Sequence, residues 1–273
     1  MSFSPALDPP KDRTPITRWF VFREGKILLD ASLCPPEESP GRGALGSRID
    51  ASKAHYLGRQ NDVDCWAAEL AAPDMLPAGL DAMPFREAIA VKDDEFFRIA
   101  SQASQLLTWA ATHRYCGRCG APTQSSPGER AKTCPACGLQ SFPRVSPAAI
   151  VTVLRGEEIL LARAHRFAPG MYSVLAGFVE AGETLEECVH REIHEEAGIE
   201  VGDLRYFGSQ SWPFPHSLMV AFIARYSRGD IRIDGRELAD ARWFRRDDLP
   251  ELPLKASVAR RMIDWYCDGA REG

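Results

Sequence analysis

The stretch "GFVEAGETLEECVHREIHEEAGI", Gly177 to Ile199, decides the fold. Its spacing predicts a helix near 184–197. At about 100° per residue, Glu192, Glu195 and Glu196 stand three and four positions apart and fall on one face. The same projection puts Leu185, Cys188 and Val189 on that face or beside it. The glutamates are therefore expected to face the protein, at the mouth of a cleft. Three carboxylates this close repel one another, and burial raises their pKa values. A divalent cation removes that conflict. Hard oxygen ligands point to Mg2+ or Mn2+, which take substrate phosphates as further ligands. The competing reading is a Glu-rich solvated helix, which would spread its charges over the polar side. His190 and His194 have the spacing of a zinc pair. They project away from the glutamates, however, and "HREIH" lacks the glutamate beside the first histidine of a metalloprotease motif, so they read as surface residues.

Upstream, "CGRCG" and "CPACG" give Cys116-x2-Cys119 and Cys134-x2-Cys137. Each turn aims two thiolates at one point, and two turns complete a tetrahedral sulfur shell for Zn2+. Four thiolates leave no open position, so one structural zinc per chain is expected. A redox dithiol does not account for two knuckles. Cys34, Cys65, Cys188 and Cys267 show no ligand spacing. Around the knuckles, Arg114, Arg118, Arg130, Lys132 and Arg144 stand against Glu129 alone. This is either a solvated ribbon surface or a path for a polyanionic substrate tail.

At 273 residues the chain is long enough for two domains, or for one with additions. Its 45% hydrophobic and 26% charged content is that of a globular protein with a real core. No run approaches the ~18 apolar residues of a membrane span. "MSFSPALDPPKDRTP" has no apolar h-region, so no secretory signal is expected and the location reads as cytoplasmic. There, eight cysteines favour a metal site over a disulfide framework. A net charge of −5 argues against a duplex-DNA binder.

Residues 1 to about 15 read as a poorly ordered leader. "RWFVFREGKILLD" reads as a hairpin turning at Glu24-Gly25, 34–48 as loop, and "HYLGRQNDVDCWAAEL" as a second strand pair. Helical spacing runs from Asp93 to His113, with Asp93 or Asp94 as N-cap. This first block is a small α+β domain with no chemical motif of its own. A final helix begins at about 255, and no internal repeat is visible. The expected domains are 1–112, a ribbon at 113–142, and 143–273.

"SQSWPFPHSLM", Ser209 to Met219, sets Trp212 and Phe214 among Pro213 and Pro215. Proline disfavours both helix and central strand, so a stiff loop fixing two aromatic rings is expected. The rings either plug the core or stack on a flat ligand.

These motifs carry a resemblance. Gly177, Glu183, Arg191, Glu192, Ile193, Glu195, Glu196, Gly198 and Ile199 match the Nudix box, G-x5-E-x7-R-E-U-x-E-E-x-G-U, without mismatch. That resemblance implies an α/β/α sandwich that hydrolyses a nucleoside diphosphate linked to another group. It implies metal on Glu192, Glu196 and often Glu195, with Arg191 and Glu183 holding the loop–helix geometry. The aromatic stretch resembles the S-Q-P-W-P-F-P-x-S array of the NADH pyrophosphatase branch at Ser209, Gln210, Trp212, Pro213, Phe214, Pro215 and Ser217. It departs at Ser211, and His216 fills the open position. That branch also carries a four-cysteine ribbon and a separate N-terminal domain.

The resemblance further implies that Phe178 and Phe142 line a base pocket, with Gln210 and the Ala259 backbone as polar contacts. Glu129 and Arg86 match further substrate positions, and Glu237 a further metal-binding glutamate. The implied assembly is a homodimer with Trp212 reaching the partner's pocket. The expected reaction is cleavage of NAD(H) to nicotinamide mononucleotide and AMP. One alternative is removal of an NAD cap from the 5′ end of RNA; another is a regulator that binds NAD without cleaving it.

Overall fold

The computed structural model describes residues 3–12, 14–38, 45–70, 75–233 and 235–269. The chain forms two compact units, Met1–Arg144 and Val145–Gly273.

In the first unit the strands are β1 (Phe3–Pro5), β2 (Thr17–Arg23), β3 (Lys26–Leu29), β4 (Glu37–Glu38), β5 (His55–Gln60), β6 (Val63–Glu69) and β7 (Asp81–Pro84). They form one sheet in the order β1-β5-β6-β2-β3-β7, with β4 also on β2. The β2–β3 hairpin turns at Glu24-Gly25 with φ of 50° and 75°, and β5–β6 turns at Asn61-Asp62 with 48° and 64°. Positive φ at both central residues suits the twist of paired strands. Helices α1 (Phe85–Val91) and α2 (Asp94–Thr112) follow. The Asp93 carboxylate accepts from the Phe96 amide at 2.8 Å, so Asp93 is the N-cap. Phe20 and Phe22 on β2 meet Phe96 and Phe85 on these helices. Val21, Leu28, Leu45, Leu70 and Leu80 form a second cluster.

Two expectations fail here. The leader is ordered at Phe3–Pro5, which pairs with β5. Gly58, at φ 137°, makes this possible, because a Cβ there would strike the backbone of Ser4 and Pro5. Further along, Thr14 donates its amide to the buried Asp64 at 3.2 Å. The expected loop at 34–48 contains β4 and a 3-10 turn at Gly46–Arg48, while 39–44 lie outside the described residues.

The cysteine segment adds a small sheet of β8 (Gln124–Ser125), β9 (Lys132–Thr133) and β10 (Gln140–Ser141).

The second unit comprises β11 (Ser146–Arg155), β12 (Glu158–Ala164), β13 (Leu175–Phe178), α3 (Leu185–Ala197), β14 (Glu200–Trp212), β15 (Ser217–Arg228), β16 (Leu238–Arg245) and α4 (Val258–Cys267). Its strand order is β14-β15-β11-β12-β16, with β13 also on β11. Six consecutive residues of β11, 148–153, are buried, as a strand covered on both faces requires. Ala149, Val151 and Val153 pack with Cys188, Val189 and Ile193 of α3. Ile150 packs with Met262, Ile263 and Tyr266 of α4 on the other face. The result is the α/β/α sandwich.

The two units share one plan, which corrects the expectation of no internal repeat. In each, a central strand runs parallel to the last strand of a later hairpin, β2 with β6 and β11 with β15. The order β5-β6-β2-β3-β7 repeats as β14-β15-β11-β12-β16. No repeated run of residues marks this in the sequence, because strand pairing demands a pattern of burial rather than particular residues.

Candidate active site

Helix α3 begins with a capping box. Thr184 Oγ1 accepts from the Glu187 amide at 3.2 Å, and Glu187 Oε2 accepts from the Thr184 amide at 2.8 Å. The signal T-x-x-E was present in the sequence. The helix stops at Gly198, at φ 72°, whose amide donates to His194 O.

Arg191 organises the acidic cluster. Its Nε donates to Glu183 Oε1 at 2.6 Å and its Nη2 to Glu183 Oε2 at 2.9 Å, a two-pronged pair. Nη2 also reaches Phe178 O at 2.9 Å, while Nη1 donates to Glu192 Oε1 at 2.8 Å and Glu195 Oε2 at 3.1 Å. One guanidinium thus ties the loop before the helix, the end of β13 and two carboxylates together. The Arg191 hydrogen bonds, with the Glu180 amide, hold the Glu183 carboxyl down at about 2. Burial raises Glu192, opposed by Arg191 and helped by the charges of Glu195 and Glu237.

The glutamates do not all face inward as expected. Glu196 is only 8% exposed, and the Glu192 side chain 14%, but the Glu195 side chain is 59% exposed. Residues 192 and 196 lie one turn apart beside buried Cys188, whereas 195 is rotated about 100° from 196, outside the buried arc. Gly177 has a specific reason to be glycine: a Cβ there would overlap the Glu192 carboxylate. His190 and His194 are exposed, as expected.

The aromatic stretch is not a free-standing loop. Ser209 to Trp212 belong to β14, the end strand of its sheet path, and Ser217 starts β15, with Trp212 opposite Ser217. An edge position and a four-residue turn accommodate the prolines, because proline breaks only an inner ladder. Pro213 is buried and Trp212 half-buried, and the Trp212 and Phe214 rings pack edge-on at 5.3 Å. Ser211 is exposed and Pro215 precedes half-buried His216. The Phe214-Pro215 peptide is cis.

β11 gathers these parts. Its Ala148 pairs with Phe178 on one side and its Ser146 with Ser217 on the other. Phe178, 57% exposed, therefore shares one end of the sheet with the aromatic turn. Gln210 is engaged within the protein: its Nε2 donates to Ala256 O and its Oε1 accepts from the Val258 amide, both at 2.7 Å. This joins β14 to the start of α4, next to Ala259. Glu237, just before β16, is exposed. Phe142, Glu129 and Arg86 belong to the first unit. Glu129 lines a groove of about 470 Å³ with Gln124, Ser126 and Gln140.

In the ribbon, the four cysteine sulfurs lie within 4.8 Å of one another. Cys116 and Cys137 sulfurs are 3.6 Å apart, and Cys119 and Cys134 sulfurs 3.5 Å. A disulfide would need about 2.05 Å, and a tetrahedral zinc shell about 3.8 Å. The knuckles repeat each other: Gly120 and Gly138, at φ 76° and 74°, donate to Cys116 O and Cys134 O, each at 2.9 Å. Backbone amides of Arg118 and Cys119 hold the Cys116 thiol down at about 6. The donor set fits a structural zinc. Among the described residues, no three carboxylates converge within 4.8 Å as these sulfurs do. The basic cluster divides: Lys132 donates to Ala110 O at 2.6 Å and Arg130 to Ala6 O and Tyr56 O, while Arg114, Arg118 and Arg144 are exposed.

A sandwich with a box of carboxylates on α3 and an arginine bridging loop and helix defines a Nudix hydrolase domain, and the NUDIX domain family matches residues 144–266. The flanking matches are the NADH pyrophosphatase zinc ribbon domain at 111–142 and the NADH pyrophosphatase-like rudimentary NUDIX domain at 16–109. The chain belongs to the NADH pyrophosphatase branch of the Nudix hydrolases. The NAD-capped RNA hydrolase NudC of Chromobacterium violaceum is 45% identical over 93% of each chain. That of Stutzerimonas stutzeri is 48% identical over 91% of this chain and 89% of the relative. Among solved structures, a NUDIX hydrolase from Nitrosomonas europaea aligns with a TM-score of 0.48 and 22% identity, covering 57% of this chain and 93% of that one. Among the described residues, no helix is long and apolar enough to cross a membrane.

Proposed function

We propose that the protein hydrolyses the pyrophosphate bond of NAD(H), yielding nicotinamide mononucleotide and AMP, in the cytoplasm. The observation that carries this is the pairing of β11 with β13, which ends at Phe178 inside the box, and with β15, which starts at the end of the aromatic turn. Glu192, Glu195, Glu196 and Glu237 would hold Mg2+ or Mn2+; their oxygen donors fit a hard cation, and Gly177 leaves room for the Glu192 carboxylate. When bound, such a cation stabilises charge on phosphate oxygens and makes water a better nucleophile. Arg191 and Glu183 fix the loop against the helix, so that Glu192 and Glu196 keep their orientation. Trp212, Phe214 and Phe178 stack on a base. Ser211, Pro213, Pro215, His216 and Ser217 shape the turn. The Ala259 backbone and Gln210 offer polar contacts, Gln210 by exchanging its bonds to Ala256 and Val258. The domains are taken as 1–112, 113–142 and 143–273. Incubating the protein with a panel of dinucleotides and Mn2+, with products read by mass, tests the reaction. Intact NADH would refute it.

A second reading, NAD-capped RNA as the main substrate, is favoured by the relatives' names and by exposed Arg114, Arg118 and Arg144. Competition between NADH and NAD-capped RNA separates the two. The non-catalytic regulator is set aside, since every box carboxylate is present and the relatives are named hydrolases. The proposed homodimer, with Trp212 acting across the interface, is tested by mixing Trp212→Ala and Glu196→Gln subunits. One hybrid site would then carry both lesions and the other neither, restoring part of the activity. No recovery in verified mixed dimers would put each tryptophan in its own chain's site.

A further inference from the structure

We infer that Ser146 and His216 form a clamp that positions the aromatic turn for substrate. Ser146 Oγ lies 3.2 Å from His216 Nδ1, and the Ser146 amide donates to His216 O at 2.9 Å. The first residue of β11 therefore grips the last residue of the turn by side chain and backbone together. The next residue, Pro147, accepts from the Val179 amide at 3.1 Å, immediately after Phe178. Two adjacent residues at the head of β11 thus hold both ring-bearing segments, which enter the sheet from opposite sides.

The turn needs such a pin. Its four residues, 213–216, span the end of an edge strand, where ladder bonds stop at the Trp212–Ser217 pair. Pro213 and Pro215 supply no amide hydrogens, so backbone bonding within the turn is limited. Phe214 N to Trp212 O, at 2.9 Å, is one internal bond. The Ser146 hydroxyl both donates and accepts, so the side-chain contact accommodates either histidine tautomer. A ring held in place before substrate arrives loses less freedom on binding, which lowers KM without a new contact to substrate. Ser146 and His216 are accordingly positioning residues, and their effect should fall on KM rather than kcat.

This inference rests on the reading of the turn as a base-stacking element, and the test separates the two. Ser146→Ala, His216→Ala, the double variant, Ser146→Thr and Trp212→Ala are compared in the full-length chain by NADH kinetics and thermal melting. Each clamp variant should raise KM about 3- to 10-fold, the effect of one lost hydrogen bond, with kcat changed by less than about twofold. The double variant should be no worse than the stronger single one, and Ser146→Thr, which keeps the hydroxyl, should retain the parental KM. Unchanged KM in both alanine variants, or single effects that multiply, would overturn the clamp. If Trp212→Ala raises KM and Ser146→Ala does not, only the clamp fails. If Trp212→Ala itself leaves KM unchanged, base stacking fails and the clamp with it. A lower melting temperature at parental KM would mark the pair as purely structural and overturn the inference.

Discussion

The two units solve the same packing problem, but among the described residues only the second places an α-helix in the compared connection. Between β13 and β14 the second unit places thirteen-residue α3, whose inner side packs on the sheet and whose edge carries Glu192 and Glu196. Between β4 and β5 the first unit has 3-10 turns at Gly46–Arg48 and Ala51–Lys53, and Leu45 and Ile49 pack on Val21 and Leu28. Apolar side chains suffice to cover a sheet. Carboxylates held in register one turn apart require a helix. The edges differ as well. β5 is covered by leader strand β1, whereas β14 ends its path and presents the aromatic turn. The sheet plan is therefore common to both units, while the segments inserted into it differ.

The largest expected effect would break this contrast. Glu196→Gln should lower kcat by at least about 100-fold while NADH binding survives, because a lost ligand acts on the transition state. Asp50→Asn, which alters the cap of the 3-10 turn in the first unit, should leave kcat within about twofold. A fall of less than about fivefold for Glu196→Gln would remove Glu196 from the proposed metal site.

Two tryptophans sharpen the comparison. Trp212→Ala should cost about 5- to 150-fold in kcat/KM for NADH, equivalent to roughly 1–3 kcal/mol of stacking. Trp109, on α2 and only 4% exposed, should behave oppositely. Trp109→Ala should lower stability by roughly 3–5 kcal/mol with kcat/KM per folded molecule preserved. Calorimetry and kinetics on the same preparations would show the two roles exchanged if the assignment is wrong.

The ribbon should affect stability rather than chemistry. Metal analysis should find about one tightly held zinc per chain, lost in Cys119→Ser, with lower melting temperature and little change in kcat per folded molecule. Zinc required for the chemical step in an intact fold would contradict this.

The smallest effect concerns acid. The folded Glu183 carboxyl titrates near 2 against an ordinary 4.5, depressed chiefly by Arg191. Its stabilisation is complete above about pH 4.5 and fades as pH falls toward 2. Glu183→Gln should flatten the melting-temperature profile over that window alone. An unchanged slope would mean that the pair adds nothing to stability.

Several features were legible from residues alone, because their physics is local. The period of α3, the paired cysteine knuckles, the hairpin at Glu24-Gly25 and the second strand pair each depend on neighbours within a few positions. Family patterns extended this reach to the aromatic stretch. Other features needed the fold. Whether Ser209–Trp212 is loop or edge strand depends on β15 beside it. Glu195 turns outward because the buried arc of α3 is set by the sheet beneath it, and Gln210 meets Ala256 and Val258 across 46 and 48 positions. The repeated strand order was invisible in the residues for the same reason. Sequence by itself determined which groups the protein possesses and their local geometry. The tertiary structure decided which of them meet, because long-range pairing and burial depend on partners that sequence spacing does not specify.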